Sequence, residues 1–171
     1  MYQYELKIPV ERVAVLVGEK GSVKKRIQKT LDIQIWIDSK EGNVIISGED
    51  SVNLMTAQDI IKAISRGFNP EVAFQLLNEN MYFELIDISA YSKSKKDIIR
   101  LKGRAIGEKG KGRRLISKLT NTEICVYGKT IGIIGNLENV ELAKRAYDKL
   151  LNGSPHGKVF SFIEKEIKNL R

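Results

Sequence analysis

Histidine and cysteine are almost missing from this sequence, which contains one of each in 171 residues, His156 and Cys125. A single cysteine excludes an internal disulfide, and the two residues together cannot supply the four ligands of a structural zinc site. A Ser-His-Asp or Cys-His nucleophile would have to use His156, which lies in a Gly/Pro-rich segment near the C-terminus. We therefore expect no metal, no cofactor and no catalytic residue, so the protein is not predicted to be an enzyme.

Long apolar runs are also missing, because no stretch approaches the roughly 18 consecutive apolar residues that a membrane-spanning helix requires. The segment 1–5 has no basic region followed by an apolar core, so no secretory signal is indicated. A phosphate-binding Walker motif is excluded because Gly112 is followed by Arg113 instead of lysine. With 42% hydrophobic and 29% charged residues, the composition is typical of a globular protein. We expect a cytoplasmic protein that does not contact a membrane.

Positive charge is abundant and unevenly distributed. Lys and Arg number 29 against 21 acidic residues, which gives a net charge of +8. The segment 93–118 holds eleven basic and two acidic residues, so it carries +9 and the rest of the chain sums to −1. Such a concentration is typical of a polyanion-binding surface, whereas a merely solvated face usually interleaves the two signs. The sequence therefore favours nucleic acid as the partner.

A Gly-Glu-Lys-Gly tetrapeptide occurs twice, 89 residues apart. The two copies are Gly18, Glu19, Lys20, Gly21 and Gly107, Glu108, Lys109, Gly110. Each copy is preceded by apolar residues and followed by a basic helix start, an alternating strand, a turn, a second strand and an amphipathic helix. Together with upstream strands at 2–9 and 81–88, each half reads β-α-α-β-β-α, which indicates an internal duplication.

The tetrapeptide is suited to holding a phosphodiester backbone. Its glycines carry no Cβ, so the loop can approach a phosphate closely, and the next helix offers unpaired N–H groups and a partial positive charge. Basic side chains just beyond the loop add charge that displaces counterions from RNA. The predicted RNA contacts are therefore the eight loop residues and the basic residues that follow them, Lys24 and Lys25 in the first copy and Lys111, Arg113 and Arg114 in the second.

The order of elements resembles the type I KH domain in both halves and over nearly the whole chain. We expect an α+β fold of two tandem type I KH domains (βααββα) with a C-terminal helix. The expected parts are a first domain at 1–67, a connecting segment with a short helix at 68–80, a second domain at 81–153 and a tail helix at 154–171. The resemblance implies that each loop clamps about four single-stranded nucleotides. In the first copy, the segment between Thr30 and the next strand is expected to be two residues shorter than in the second. We therefore expect the first domain to bind RNA more weakly.

A narrower resemblance rests on segments 122–135 and 150–160, with the turn Tyr127-Gly128-Lys129-Thr130 and the tail motif that begins His156-Gly157. Both segments resemble the archaeal two-KH ribosome-assembly proteins, homologues of the eukaryotic pre-rRNA-processing factor called partner of Nob-one. The resemblance implies binding of single-stranded RNA near the 3′ end of small-subunit rRNA during small-subunit biogenesis. It also implies contact with the rRNA maturation endonuclease and the alpha subunit of initiation factor two. An accessory subunit of an RNA-degradation complex or a translational regulator is the alternative on the same scaffold.

Three features allow two interpretations each. Trp36 fits a base-stacking platform or a half-buried strand residue that packs under a helix. His156 fits a structural anchor of the tail better than a catalytic residue. The apolar stripe from Val159 to Leu170 predicts a helix that buries one face, either on the second domain or in contact with a partner.

Overall fold

The computed structural model describes residues 1–170, which form two units, Met1–Asn78 and a second unit that begins at Glu79. Both units follow the same order of elements, strand, two helices, two strands and a helix. The first contains β1 Tyr2–Lys7, α1 Val10–Val17, α2 Ser22–Leu31, β2 Gln34–Asp38, β3 Asn43–Gly48 and α3 Ser51–Ser65. The second contains β4 Tyr82–Asp87, α5 Lys95–Ile106, α6 Lys111–Thr120, β5 Glu123–Tyr127, β6 Thr130–Gly135 and α7 Leu137–Leu151. The predicted α+β fold with two βααββα repeats is confirmed.

Each unit has one three-stranded antiparallel sheet, in the order β1-β3-β2 in the first and β4-β6-β5 in the second. The last strand in sequence is therefore central in each sheet, and its side chains are buried, as Val44 and Ile46 show in β3 and Ile131 and Ile133 in β6. The inward-facing side chains and the helices enclose one apolar core per unit. The core of the second unit includes Leu101, Ile116, Ile133, Tyr147, Val159 and Ile163.

Polar side chains begin several of the helices. Asp50 accepts hydrogen bonds from the backbone N–H groups of Val52 and Asn53 at the start of α3, and Ser94 and Asn136 cap α5 and α7 in the same way. These caps satisfy donors that have no partner inside the helix. The helix boundaries are therefore local consequences of the sequence.

The segment after α3 packs on the first unit instead of bridging freely to the second. It forms a short helix α4, Pro70–Ala73, and a 3-10 turn, Phe74–Leu77. Phe68, Phe74 and Leu76 are buried, because leaving three such side chains in water would cost about 1.5–3 kcal/mol each. The first unit accordingly extends to Asn78, and the predicted boundaries at 67/68 and 80/81 stay predictions.

The tail forms helix α8, His156–Asn169, which packs on α6 and α7. Val159 and Ile163 are completely buried in the second core, whereas Leu170 at the end of the apolar stripe is 67% exposed. The first part of the stripe thus supplies core side chains to the second unit. Within residues 1–170, no helix is both long and apolar enough to cross a membrane.

The expected shorter spacing in the first copy is wrong. Helices α2 and α6 each have ten residues, and the following strand starts twelve positions after the helix start in both units. The residue equivalent to Thr120 is Leu31 and not Thr30, so the apparent deletion came from matching the wrong residue. The two copies differ instead in their hairpins, where residues 39–42 join β2 to β3 but only 128–129 join β5 to β6.

Candidate nucleic-acid interface

The two Gly-Glu-Lys-Gly loops have almost the same backbone conformation. Gly18 and Gly107 have φ/ψ of 77°/171° and 75°/173°. Lys20 and Lys109 both have left-handed conformations, with φ/ψ of 54°/28° and 53°/29°. The predicted repeat is therefore also a repeat of loop geometry.

The first glycine of each loop is required by a close backbone approach. A Cβ on Gly107 would lie 2.6 Å from the backbone nitrogen of Gly112, and one on Gly18 would lie 2.6 Å from Cγ2 of Val23. The loop therefore folds back onto the first turn of the next helix. This fold leaves the central Glu and Lys side chains exposed beside the helix N-terminus, where N–H groups are available to an anion.

Two of the predicted RNA contacts also brace their own loops. Nζ of Lys25 donates to the carbonyl oxygen of Lys20 at 3.1 Å, and a guanidinium nitrogen of Arg114 donates to the carbonyl oxygen of Lys109 at 2.8 Å. Both bonds end at the lysine whose φ is positive, and they therefore stabilise the strained part of each loop. Both side chains remain exposed, so their charge stays available to a ligand.

Arg113 has a different position from the other basic residues of α6. Its side chain is half-buried, and a guanidinium nitrogen donates to the carbonyl oxygen of Ile124 at 3.1 Å, which ties α6 to β5. Its counterpart Lys24 is also half-buried. The predicted contacts that are exposed are Glu19, Lys20, Lys25, Glu108, Lys109, Lys111 and Arg114.

The helices before the two loops differ sharply in charge. Helix α1 has one basic residue, Arg12, which donates to the carbonyl oxygens of Ile64 and Phe68 at 2.9 and 3.0 Å. Helix α5 has five, namely Lys95, Lys96, Arg100, Lys102 and Arg104. Eight of the eleven basic residues between 93 and 118 are exposed. The second loop therefore has a basic helix on each side, whereas the first has one only after it, where α2 carries Lys24, Lys25, Arg26 and Lys29.

The one acidic residue of α5 forms hydrogen bonds that favour its charged form. The hydroxyl of Ser92 and the guanidinium of Arg100 hold the pKa of the Asp97 carboxyl below its usual value. Asp97 pairs with Arg100 at 2.7 Å. This pair offsets one of the five cations and leaves a positive excess along α5.

An apolar groove of about 260 Å³ lies between α5 and the turn that joins β5 to β6. Its lining residues are Lys95, Ile98, Ile99, Lys102, Gly128 and Lys129. The Ile99 side chain is 71% exposed, so an apolar surface is bordered by three lysines, whose charge attracts a phosphate backbone. This groove was not predicted from the sequence, although adjacent isoleucines on a basic helix were its signal.

Trp36 belongs to β2 of the first unit and does not line this groove. It is 56% exposed and sits opposite Ile45 and beside Glu5, while the preceding residue Ile35 is buried. Strand alternation therefore places Trp36 on the sheet face opposite to that of Ile35. The interpretation that it packs under a helix is wrong, and its role in base stacking stays a prediction.

His156 anchors the start of α8 close to the second loop. Its Nε2 donates to the carbonyl oxygen of Arg104 at 2.9 Å, and the Arg104 guanidinium donates to the carbonyl oxygen of Ser154 at 2.7 Å. These reciprocal bonds connect the last turn of α5 to the first residues of the tail. Gly112 makes room for the imidazole, since a Cβ there would lie 3.3 Å from the ring. Within residues 1–170, no cluster of three or more His, Cys, Asp or Glu is placed to hold a metal ion.

Comparison with known proteins agrees with this geometry. Residues 3–63 match the KH domain profile, and residues 82–168 match the profile of the eukaryotic-type KH domain, type I, in its second PNO1 copy. A KH domain-containing protein of Methanocaldococcus jannaschii is 45% identical, over 97% of this chain and 74% of that protein. The RNA-binding protein pno1 of Dictyostelium discoideum is 31% identical, over 92% and 68%. The chain belongs to the PNO1 (Dim2) family of KH proteins.

Solved structures of family members are similar over the whole chain. Dim2p of Pyrococcus horikoshii is 43% identical with a TM-score of 0.89, and the match covers 96% of this chain and 99% of that one. A chain of the a/eIF2alpha–aDim2p–rRNA complex from the same organism is 43% identical with a TM-score of 0.90, over 98% and 95%. The pre-rRNA-processing protein pno1 of Emericella nidulans is 27% identical over 94% of this chain and 65% of that protein. The predicted family is confirmed.

Proposed function

We propose that this protein binds single-stranded RNA through the second Gly-Glu-Lys-Gly loop and its flanking helices, and that it does so without catalysing a reaction. The observation that carries the proposal is the coincidence of this loop with the positive surface of α5 and α6. The first loop has the same backbone and is followed by an equally basic helix, α2, but α1 before it carries one cation where α5 carries five. We therefore infer that the second unit supplies most of the binding free energy.

Different residues would bind the phosphates and the bases of the RNA. Phosphates would lie at the N-terminus of α6, where backbone N–H groups, Lys109, Lys111 and Arg114 converge. Unpaired bases would enter the groove between α5 and the 128–129 turn, where Ile99 offers exposed apolar surface. Duplex RNA cannot present its bases to such a groove, so the site selects single strands.

The RNA we propose is the 3′ region of small-subunit rRNA, bound during small-subunit biogenesis. Two observations on relatives support it, because the Emericella nidulans relative is a pre-rRNA-processing protein and the Pyrococcus horikoshii relative occurs in a complex with rRNA. That complex also contains a/eIF2alpha, which supports the alpha subunit of initiation factor two as a partner. We propose the rRNA maturation endonuclease as a second partner.

Replacing both central loop residues with aspartate tests the site. Glu108→Asp/Lys109→Asp removes one cation and adds an anion beside the phosphates, and Asp tolerates the left-handed conformation of position 109. We expect affinity for single-stranded RNA to fall about 5- to 30-fold, the equivalent of about 1–2 kcal/mol. The matched variant Glu19→Asp/Lys20→Asp should lose less. Filter binding at fixed salt measures both, and an equal or larger loss in the first loop would contradict the assignment.

Competition assays separate base reading from simple charge attraction. A single strand with the mature 3′ end of small-subunit rRNA should displace labelled RNA far better than a duplex of the same length. Equal competition would mean that the basic segment binds phosphates alone. Co-purification with pre-ribosomal particles supports a role in assembly, whereas co-purification with exonuclease subunits would favour RNA degradation.

A further inference from the structure

A second groove, which shares no lining residue with the first, lies between the second loop and the start of α8. Its volume is about 300 Å³, and its walls are Gly107 and Gly112 on one side and the rings of His156 and Phe160 on the other. Leu115 completes the apolar surface. A cavity of this size lies at the lower end of small-ligand sites, which suits one flat group.

The two rings that line the groove are held in fixed positions. The bond from Nε2 of His156 to the carbonyl oxygen of Arg104 fixes the imidazole. The Phe160 ring is half-buried, with its centroid 6.0 Å from that of His156 and an interplanar angle of 53°. Rigid aromatic surface costs little conformational entropy when a ligand stacks on it.

The rim of the groove is charged in a way that suits RNA. Exposed Lys111 lies on the groove, and Lys109 is exposed in the adjoining loop. The groove also shares Gly107 and Glu108 with the loop proposed to hold phosphates. A strand whose backbone crosses the loop therefore passes directly beside the aromatic pair.

Different side chains occupy the equivalent position of the first unit. Val23 stands where the second unit has Gly112, and Arg26 stands where it has Leu115. The Arg26 guanidinium lies 3.8 Å from the centre of the Phe74 ring and pairs with Glu71 at 2.9 Å. The aromatic partner of the first unit is therefore already covered, whereas Phe160 faces a groove.

We propose that this groove takes one nucleobase of the bound RNA, which stacks on Phe160 and His156 while its neighbouring phosphate lies on the loop. The proposal rests on the proposed function and adds a second base site to it. Stacking is tolerant of sequence because every base has a π-face. Removal of one such stacking interaction corresponds to a decrease in affinity of about 5- to 100-fold.

Phe160→Leu tests the proposal, because it keeps an apolar side chain but removes the stacking surface. Phe162→Leu is the matched control on the same helix, since Phe162 contacts Arg145 and Lys149 and not the groove. Short single-stranded RNAs carry 2-aminopurine at successive positions, and its fluorescence is quenched on stacking. We expect one position to be quenched in the unmodified protein and in Phe162→Leu, and that quenching to vanish in Phe160→Leu together with the loss of affinity.

A measurement without substitution covers the case in which Phe160→Leu folds poorly. Crosslinking of 4-thiouridine RNA to the unmodified protein should label the peptide that contains His156 and Phe160. If the protein binds RNA but labels only α5 and the 128–129 turn, or if both Phe variants bind equally, the groove is not a base site. A Phe160→Leu variant that loses a protein partner while its RNA affinity is unchanged would also overturn the proposal. Failure of the unmodified protein to bind RNA would instead refute the proposed function itself.

Discussion

At the residue scale, each loop depends on backbone conformations that few residues adopt. Gly107 needs its missing Cβ because the loop touches the backbone of α6, and Lys109 keeps a positive φ that the Arg114 bond stabilises. The sequence places charged residues in the centre of the loop and glycines at its ends. The conformation therefore presents the charged side chains of the loop to solvent.

Gly107→Ala should destabilise the second unit, because its Cβ would lie 2.6 Å from the nitrogen of Gly112 at a φ of +75°. We expect a loss of about 1–3 kcal/mol in the free energy of unfolding, together with weaker RNA binding. Gly103→Ala is the control, because nothing lies within 4 Å of its Cβ position inside α5. It should stabilise the helix by up to about 1 kcal/mol, and chemical denaturation compares the two. Equal stability of both variants would contradict the close approach.

The Tyr91 hydroxyl should make the free energy of unfolding depend on pH in the alkaline range. Burial, followed by a 2.6 Å hydrogen bond to Asp148, raises the pKa of Tyr91 to about 12. The folded pKa is above the unfolded value of about 10. The neutral Tyr91 hydroxyl therefore contributes fully to the free energy of unfolding below pH 10, and this stabilisation is lost as pH rises through 12.

Tyr91→Phe should therefore lower the free energy of unfolding by about 0.5–1.5 kcal/mol at neutral pH. It should also reduce the fall in stability between pH 10 and 12. Urea denaturation across this range measures both effects. Tyr82→Phe, at a side chain that is 46% exposed, is the control. An alkaline fall of unchanged size in Tyr91→Phe would exclude the hydrogen bond as its source.

At the element scale, helix α8 belongs to the second unit although the KH pattern ends with α7. It supplies Val159 and Ile163 to the core, and His156 connects it to α5. The buried stripe favours the structural interpretation of the tail. The aromatic side of its first turn gives it the further binding role that we propose.

Ile163→Ala should lower the free energy of unfolding by about 2–5 kcal/mol, because it leaves a cavity at a completely buried site. Leu170→Ala, directly after the end of this helix, should change it by less than about 0.5 kcal/mol, since that side chain is mostly exposed. Thermal melting measures both variants, and deletion of 156–171 should resemble Ile163→Ala or exceed it. An unchanged melting temperature after the deletion, with loss of nuclease binding, would make α8 a partner-docking element.

At the scale of the whole molecule, the net charge of +8 belongs to one of two similar units. The loops share a backbone and are followed by equally basic helices, and the charge of the helix before each loop distinguishes them. The first unit therefore keeps the geometry of a binding loop and the cations of α2, but it lacks the positive surface that α5 adds in the second unit.

The salt dependence of RNA affinity should report this asymmetry. Removing one phosphate-binding cation from a single-strand site reduces the slope of log K against log salt by about 0.7. Lys109→Gln/Lys111→Gln should therefore reduce the slope by about 1.4. Lys165→Gln/Lys168→Gln, two exposed positions on α8, should leave it unchanged, and filter binding at several salt concentrations checks both. An equal change in the two variants would indicate attraction to the net charge alone.

The sequence by itself determined the repeat, the order of elements and the location of the positive charge. Each of these rests on local information, because helix caps, alternating apolar residues and glycine pairs affect only the backbone within a few residues of themselves. Both loops have the same φ and ψ, and their glycines permit this because residues without a Cβ adopt positive φ readily. The family was recognised from other residues, the segments 122–135 and 150–160.

Tertiary structure alone decided which side chains meet across the fold. The Arg104–His156 connection joins residues 52 positions apart, and the grooves at Ile99 and Phe160 form only when distant segments pack together. The orientation of Trp36 depended on which strand face the helices cover, and a strand pattern with apolar residues on both faces does not specify that. Local spacing also misjudged the first copy, because only the completed helix and strand show that Leu31, not Thr30, corresponds to Thr120.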